Sequence, residues 1–234
     1  MTETQTLKND PIIEAMFKAG AHFAYSRSRR HPSAEPYIFG AKNRVEIFDL
    51  EKTKECLDKA KAFATSVAVA NGQLLFVSGK NEALEAIKVG AESIGMPFVA
   101  GRWIGGTITN FAKIRSRVEK LNDLLSQKEK GELQKYTKKE RLLIDKDIAD
   151  LEKNFGGISP MKELPKAVFV VDSRKEHTVV AEAKKAGIPV ISLSGSDCDM
   201  KETQFPIPAN DSSMASIKYF VGEIVNAYKS AKKV

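Results

Sequence analysis

Apolar residues recur along this chain with two distinct periods. At Leu74-Leu-Phe-Val77 and Ala167-Val-Phe-Val-Val171 they are consecutive rather than alternating, which predicts strands buried on both faces. A helix-spaced stretch follows each run, over Lys80–Ile94 and Lys175–Ala186. Both stretches close on the same punctuation, Gly95-Met-Pro97 and Gly187-Ile-Pro189, before new apolar runs at Pro97–Val99 and Pro189–Leu193. Glycine supplies the left-handed residue that ends a helix, and a proline two positions on prevents its continuation. Two such βαβ units predict an α/β fold: a parallel sheet sandwiched by helices, doubly wound in the Rossmann or flavodoxin manner. Around them, Asp10-Pro11 reads as an N-cap and first-turn proline opening a helix over residues 11–19. Val45–Leu50 alternates as a strand, and Glu51–Val69 carries Cys56, Leu57, Ala60, Phe63, Ala64 and Val67 at helical spacing. A short strand, Phe205–Ile207, precedes a final helix over Ser212–Ala231.

A different texture separates the two units. Phe111, Ile114, Val118, Leu121 and Leu125 are spaced 3, 4, 3, 4, and Ile144, Ile148, Leu151 and Phe155 are spaced 4, 3, 4. Both are narrow heptad stripes surrounded by Lys, Glu and Asp, with a polar break at Gly131 between them. Helices lying flat on a sheet need a broader apolar face. The expectation is therefore an antiparallel coiled-coil hairpin over residues 107–156, inserted into a discontinuous α/β domain of residues 1–106 and 157–234.

The stretch from Gly20 to Gly40 follows neither period. It holds three arginines within four positions, two prolines and scattered aromatics, and it reads as a long ordered loop. Loops of that length in a compact domain usually serve function.

Composition narrows the classes. The chain has 234 residues, enough for one large α/β domain with an insertion, and its 42% apolar and 29% charged content is that of a globular chain. No run approaches the ~18 consecutive apolar residues of a membrane helix. Met1–Asp10 has neither a basic nor an apolar region of the kind that directs export. Cys56 and Cys198 stand far apart without metal-ligand spacing, as reduced thiols of a cytoplasmic protein would. The net charge of +7 points to a polyanionic partner, and because the excess is spread along the chain, contact must come from folded patches.

Catalytic chemistry has little support. The histidines His22, His31 and His177 belong to no metalloprotease motif, and no Cys-x-x-Cys or Gly-x-Ser-x-Gly occurs. Gly79-Lys80 lacks the rest of a phosphate loop, and Gly101–Gly106 is not a dinucleotide fingerprint. Asp172 follows a strand where open α/β sheets take ligands, and Asp197, Asp199 and Asp211 could share that rim and hold a cation. Capping of turns is the stronger reading of these carboxylates. The alternative class, a doubly wound phosphate-binding enzyme or sensor, would use Ser78-Gly-Lys80 and Asp172–Lys175.

Nucleic-acid chemistry is better provided for. Arg27, Arg29, Arg30, Lys42 and Arg44 face a single nearby acid, Glu35, with Phe23, Tyr25, Tyr37 and Phe39 interleaved. Arginine forks hold phosphate oxygens bidentately, and aromatics stack on unpaired bases. A second group, Arg102-Trp-Ile-Gly-Gly-Thr-Ile-Thr-Asn110, leads into Lys113, Arg115 and Arg117. Its glycines permit close backbone approach to phosphates, and Thr107, Thr109 and Asn110 offer polar contacts to phosphate or 2′-hydroxyl, while Trp103 fills a hinge core. Arg29 and Arg30 are expected at the surface, and both basic groups on one rim joined by Arg102 and the Lys113–Arg117 edge.

At these residues the chain resembles the bacterial small-subunit ribosomal protein family numbered two. The resemblance rests on Pro36-Tyr-Ile-Phe-Gly40, on Arg102-Trp-Ile-Gly-Gly-Thr-Ile-Thr-Asn-Phe111, and on Leu164–Ile191 with Val170-Val-Asp-Ser-Arg-Lys-Glu-His177. It runs in order from about residue 7 to residue 228. It implies a sandwiched parallel sheet with a coiled-coil insertion, no enzymatic activity, and no cofactor, metal, small-molecule substrate or membrane partner. It also implies a structural role in the cytoplasmic small ribosomal subunit, with small-subunit rRNA and neighbouring ribosomal proteins as partners, including the large mRNA-binding one. The chain departs from the family pattern at Tyr25, at Arg30-His-Pro-Ser33, at Ser196-Asp-Cys-Asp-Met200 and at Pro208–Ala215, which weakens a carried-over metal site and partner-docking surface and leaves the implied RNA role intact.

Overall fold

The computed structural model describes residues 10–232. The reading of the N-terminal stretch therefore lies outside the described residues up to Asn9, as do Lys233 and Val234. Asp10 caps the first helix, α1 (Pro11–Lys18), by accepting a hydrogen bond from the Ile12 amide. Four short 3₁₀ segments among the described residues aside, the order that follows is β1 (Ile38–Lys42), β2 (Val45–Phe48), α2 (Leu50–Val69), β3 (Leu74–Ser78), α3 (Asn81–Glu92) and β4 (Phe98–Ala100). Then come α4 (Phe111–Glu129), α5 (Lys138–Phe155), β5 (Ala167–Val171), α6 (His177–Lys185), β6 (Val190–Ser194), β7 (Phe205–Pro208) and α7 (Met214–Lys232).

Five strands form one parallel sheet in the order β4-β3-β5-β6-β7. Its continuous apolar runs are buried because both faces are covered, and successive residues serve opposite cores. Leu74, Phe76, Ala167, Phe169 and Val171 pack beneath α2, α3 and α7 with Leu57, Ile87, Ile217 and Phe220. Leu75, Val77, Val168 and Val170 face the other way, against Val179, Val180 and Ala183 of α6 and against Trp103 and Ile108. The two helix-ending glycines do what their pairing with proline predicts: Gly95 has φ 65° and Gly187 φ 69°. Gly157 is required for a different reason. A Cβ there would run into the carbonyl oxygen and ring of Phe98, so the chain leaving α5 can lie against β4 only without a side chain. Among the described residues no helix is long and apolar enough to cross a membrane.

The N-terminal region departs from the expected single loop. Arg27–Arg29 and Pro32–Tyr37 are 3₁₀ segments, and β1 begins within the stretch and pairs antiparallel with β2. The two strands join through Asn43 (φ 52°) and Arg44 (φ 66°), both left-handed, as a type I′ hairpin turn requires. Phe23 adds a bridge to Ile47 on the outer side of β2.

The stripes of α4 and α5 do not behave uniformly. Ile114 and Val118 join the core on the α6 face of the sheet. Leu121 and Ile148 are buried further out, and Leu142 and Leu143 are exposed. Lys120 pairs with Asp147 at 3.6 Å and Lys128 with Asp145 at 2.7 Å, so the two helices lie side by side.

Candidate nucleic-acid interface

The carboxyl ends of β3, β5, β6 and β7 converge on one rim, and the segment from Gly20 to Tyr37 is laced across it. The His31 amide donates to the Ser196 carbonyl at 2.8 Å and the Tyr25 amide to Ser196 Oγ at 3.0 Å. Asn210 Nδ2 donates to the Gly20 carbonyl at 3.0 Å, and the Met200 amide to Ser33 Oγ at 2.9 Å. These bonds turn a polar segment with little hydrophobic core of its own into an ordered cover.

Beneath it lies an internal cation. Lys80 Nζ is 2.7 Å from carboxylate oxygens of both Asp172 and Asp211. Burial works against its charge, but the two carboxylates outweigh burial and hold the ammonium above the ordinary lysine range. Asp172 itself has φ 68° and accepts from the Lys175 amide at 3.0 Å, the turn-capping role anticipated for it. Asp172, Asp211 and the buried Cys198 bring ligand atoms within 4.8 Å of one another. The positive charge in this cluster is supplied by Lys80, and burial pushes the Cys198 thiol up to about 12. Ser78-Gly-Lys80 is thus turned inward onto carboxylates and does not present an open lysine to a phosphate ligand.

The three neighbouring arginines separate into different roles. Arg27 and Arg29 are exposed, the Arg29 guanidinium lying 4.0 Å above the Tyr25 ring with Nη2 3.2 Å from Asp197. Arg30 is a correction to the surface expectation: its side chain is only 15% exposed and bridges Glu46 at 2.9 Å and Glu35 at 3.0 Å. Glu46 is buried, so Arg30 neutralises an interior carboxylate. Lys42 and Arg44 are exposed at the hairpin turn. Of the aromatics, Phe23 and Phe39 are exposed, Phe39 by 80%, whereas Tyr37 is half-buried and Tyr25 bonds Ser212 Oγ at 2.7 Å.

The second basic group is organised by Glu182, a residue the sequence reading missed. Glu182 Oε1 accepts from Trp103 Nε1 at 3.1 Å and the Gly106 amide at 2.8 Å. Its Oε2 accepts from the amides of Ile108 and Thr109 at 3.0 and 3.2 Å, and from Thr109 Oγ1 at 3.3 Å. Burial raises this carboxyl's pKa, but the convergent donors prevail and hold it below the ordinary carboxylate range. The only sign of this in the sequence is an acid at 182 among Val179, Val180 and Ala183 on the buried face of α6. Trp103 fills the core as expected. Thr107 is buried, its hydroxyl donating to the Ile104 carbonyl at 2.6 Å, so it shapes the loop from within. Arg102, Thr109, Asn110, Lys113, Arg115 and Arg117 are exposed, with Arg115 donating to the Lys162 carbonyl at 3.0 Å.

The fold brings these groups to neighbouring elements but to opposite ends of one rim. Arg102 follows the edge strand β4, while Asp197, which holds Arg29, follows β6, three strands or about 14 Å along the sheet.

The site is thus the rim of a doubly wound α/β domain, with Lys80 turned inward onto Asp172 and Asp211 and with exposed arginines and lysines on ordered loops. A family model described as Ribosomal protein S2 matches residues 16–231. The chain is 40% identical over 221 residues to small ribosomal subunit protein uS2 of Bdellovibrio bacteriovorus, covering 94% of this chain and 71% of that protein. It is 41% identical over 224 residues to the protein of the same name from Roseiflexus sp. strain RS-1, covering 96% and 86%. The chain belongs to the ribosomal protein S2 family.

Proposed function

We propose that this chain is a structural constituent of the small ribosomal subunit, working in the cytoplasm within that particle and not as an enzyme. The observation that carries the reading is family membership across nearly the whole chain. Its partners are small-subunit rRNA and neighbouring ribosomal proteins, including the large mRNA-binding one. Arg27, Arg29, Lys42 and Arg44 on one side, and Arg102, Thr109, Asn110, Lys113, Arg115 and Arg117 on the other, hold the RNA backbone. Arg30 and Thr107 brace the two loops that carry them. The exposure of these cations on hydrogen-bonded segments supports this division. Phosphate contacts release counterions, so log affinity for rRNA falls linearly with log salt, and Arg29→Glu flattens the slope by roughly 0.7–0.9 while binding weakens. Unchanged slope and affinity in Arg29→Glu would remove this loop from the interface.

In this reading residues 107–156 form a coiled-coil hairpin inserted into a discontinuous α/β domain of residues 1–106 and 157–234. The ion pairs between α4 and α5 support it, and Ile114 and Val118 anchor its base to the sheet. Truncating the buried seam by Leu121→Ala or Ile148→Ala is expected to cost ~2–5 kcal/mol in chemical denaturation. Leu142→Ala, at an exposed position, should cost under about 0.5 kcal/mol. Equal losses at all three would mean that the outer face of the hairpin is covered.

A further inference from the structure

Beside the internal Lys80 cluster the rim opens into a cavity of about 520 Å³ lined by Ser28, Arg29, Asp172, Arg174, Lys175 and Asp197. Its organisation centres on one carboxylate oxygen. Asp197 Oδ2 accepts from Arg29 Nη2 at 3.2 Å and from Arg174 Nη1 at 2.9 Å, although these arginines come from segments far apart in sequence. Asp197 is nearly buried at 8% exposure, whereas Arg29 and Arg174 are 55% and 61% exposed. The carboxylate therefore anchors one edge of each guanidinium and leaves the rest facing the opening. Among the described residues neither guanidinium has another hydrogen-bond acceptor. Arg29 is further fixed by Tyr25 beneath it, and Lys175 Nζ is tethered to the Gly79 carbonyl at 2.8 Å.

The charge balance at this opening favours an anion. Lys80 is shared by Asp172 and Asp211 and offsets only one of them, so with Asp197 two negative charges stand against two guanidiniums and the Lys175 ammonium, and the balance is still positive. Two guanidinium forks held side by side before binding suit the several oxygens of a single phosphate, since their ordering cost is met within the folded protein. We propose that Arg29, Arg174 and Lys175, aligned by Asp197, form a cradle for one backbone phosphate of the rRNA on this rim. The cradle adds Arg174 and Lys175 to the RNA contacts and places RNA where doubly wound folds otherwise take small ligands. It rests on the reading of the chain as an rRNA-binding ribosomal constituent.

The test uses the full chain and small-subunit rRNA, with affinity measured across a salt series. Arg174→Gln and Lys175→Gln should each weaken binding about tenfold, a hydrogen bond to a charged group being worth about one decade. Each should also flatten the log–log slope by roughly 0.7–0.9, and Arg174→Lys, which keeps the charge, should keep the slope. Melting of both variants in the absence of RNA reports folding, and wild-type values are expected because both positions lie at the surface of the cavity. If wild type binds rRNA and both variants match it in affinity and slope, the cradle is wrong while the ribosomal reading stands. If wild type itself does not bind rRNA, that reading fails and the cradle with it. In a second arm, inorganic phosphate or ATP at millimolar concentration should not raise the wild-type melting temperature. A rise lost in Arg174→Gln, with rRNA affinity unaffected, would assign the cavity to a small phosphate ligand and overturn the proposal.

Discussion

Glu182→Ala should lower stability by about 3–5 kcal/mol, a drop of roughly 10 °C in melting temperature for a chain of this size. The substitution removes the shared acceptor of Trp103 Nε1 and of the Gly106, Ile108 and Thr109 amides, and leaves those donors without a partner in a largely dry setting. The loss should extend to RNA, because the loop carrying Arg102, Thr109 and Asn110 is folded around this carboxylate. Acid should erase the difference between variant and wild type. The carboxyl titrates below its usual 4.5 in the folded protein, so its stabilisation is complete above that pH. It then fades as the pH falls through the lower folded value. Melting curves of both proteins between pH 7 and pH 3 should converge at the acid end. A gap that stays constant with pH would mean that Glu182 contributes packing and not charge.

The second large effect belongs to Arg30. Arg30→Glu would set a third carboxylate against Glu35 and the buried Glu46, leaving an interior charge uncompensated at a cost of about 3–5 kcal/mol. Arg29→Glu, one position earlier, should melt close to wild type, since its side chain is mostly exposed. Chemical denaturation of the two variants side by side separates a folding arginine from a binding one. A paired replacement, Arg30→Met with Glu46→Leu, should recover most of the loss because both members of the buried pair leave together. Equal stability of Arg29→Glu and Arg30→Glu would refute this division of labour.

These two residues also mark the limits of what the chain reveals before folding. The sheet was legible because consecutive valines and leucines between Gly-x-Pro turns have few other uses, and β5 falls on Ala167–Val171 as read. The hairpin of β1 and β2 was half missed. Its turn residues, Asn43 and Arg44, take left-handed angles without a glycine to announce them, and β1 is too exposed to show alternation. The heptad stripe on α4 was read as one seam, whereas Ile114 and Val118 spend their apolar surface on the sheet. That choice depends on where Trp103 and Ile108 come to rest, which spacing along α4 does not encode. Among candidate contacts, adjacent arginines looked equivalent because charge density is local while burial is not. The partners that separate Arg30 from Arg29 are Glu46 on β2 and Asp197 after β6. Thr107 looked like a surface hydroxyl for the same reason: the residues on either side of it, Gly106 and Ile108, fold onto Glu182 of a distant helix and turn its own hydroxyl inward to the Ile104 carbonyl.

The most direct measurement is sedimentation of a tagged full-length chain through a sucrose gradient of cell extract at physiological salt. The account predicts that the tag travels with small ribosomal subunits, and that it is released from them as salt is raised because phosphate contacts hold it. A chain that remained at the top of the gradient with free proteins, at a salt concentration where small subunits are intact, would contradict it.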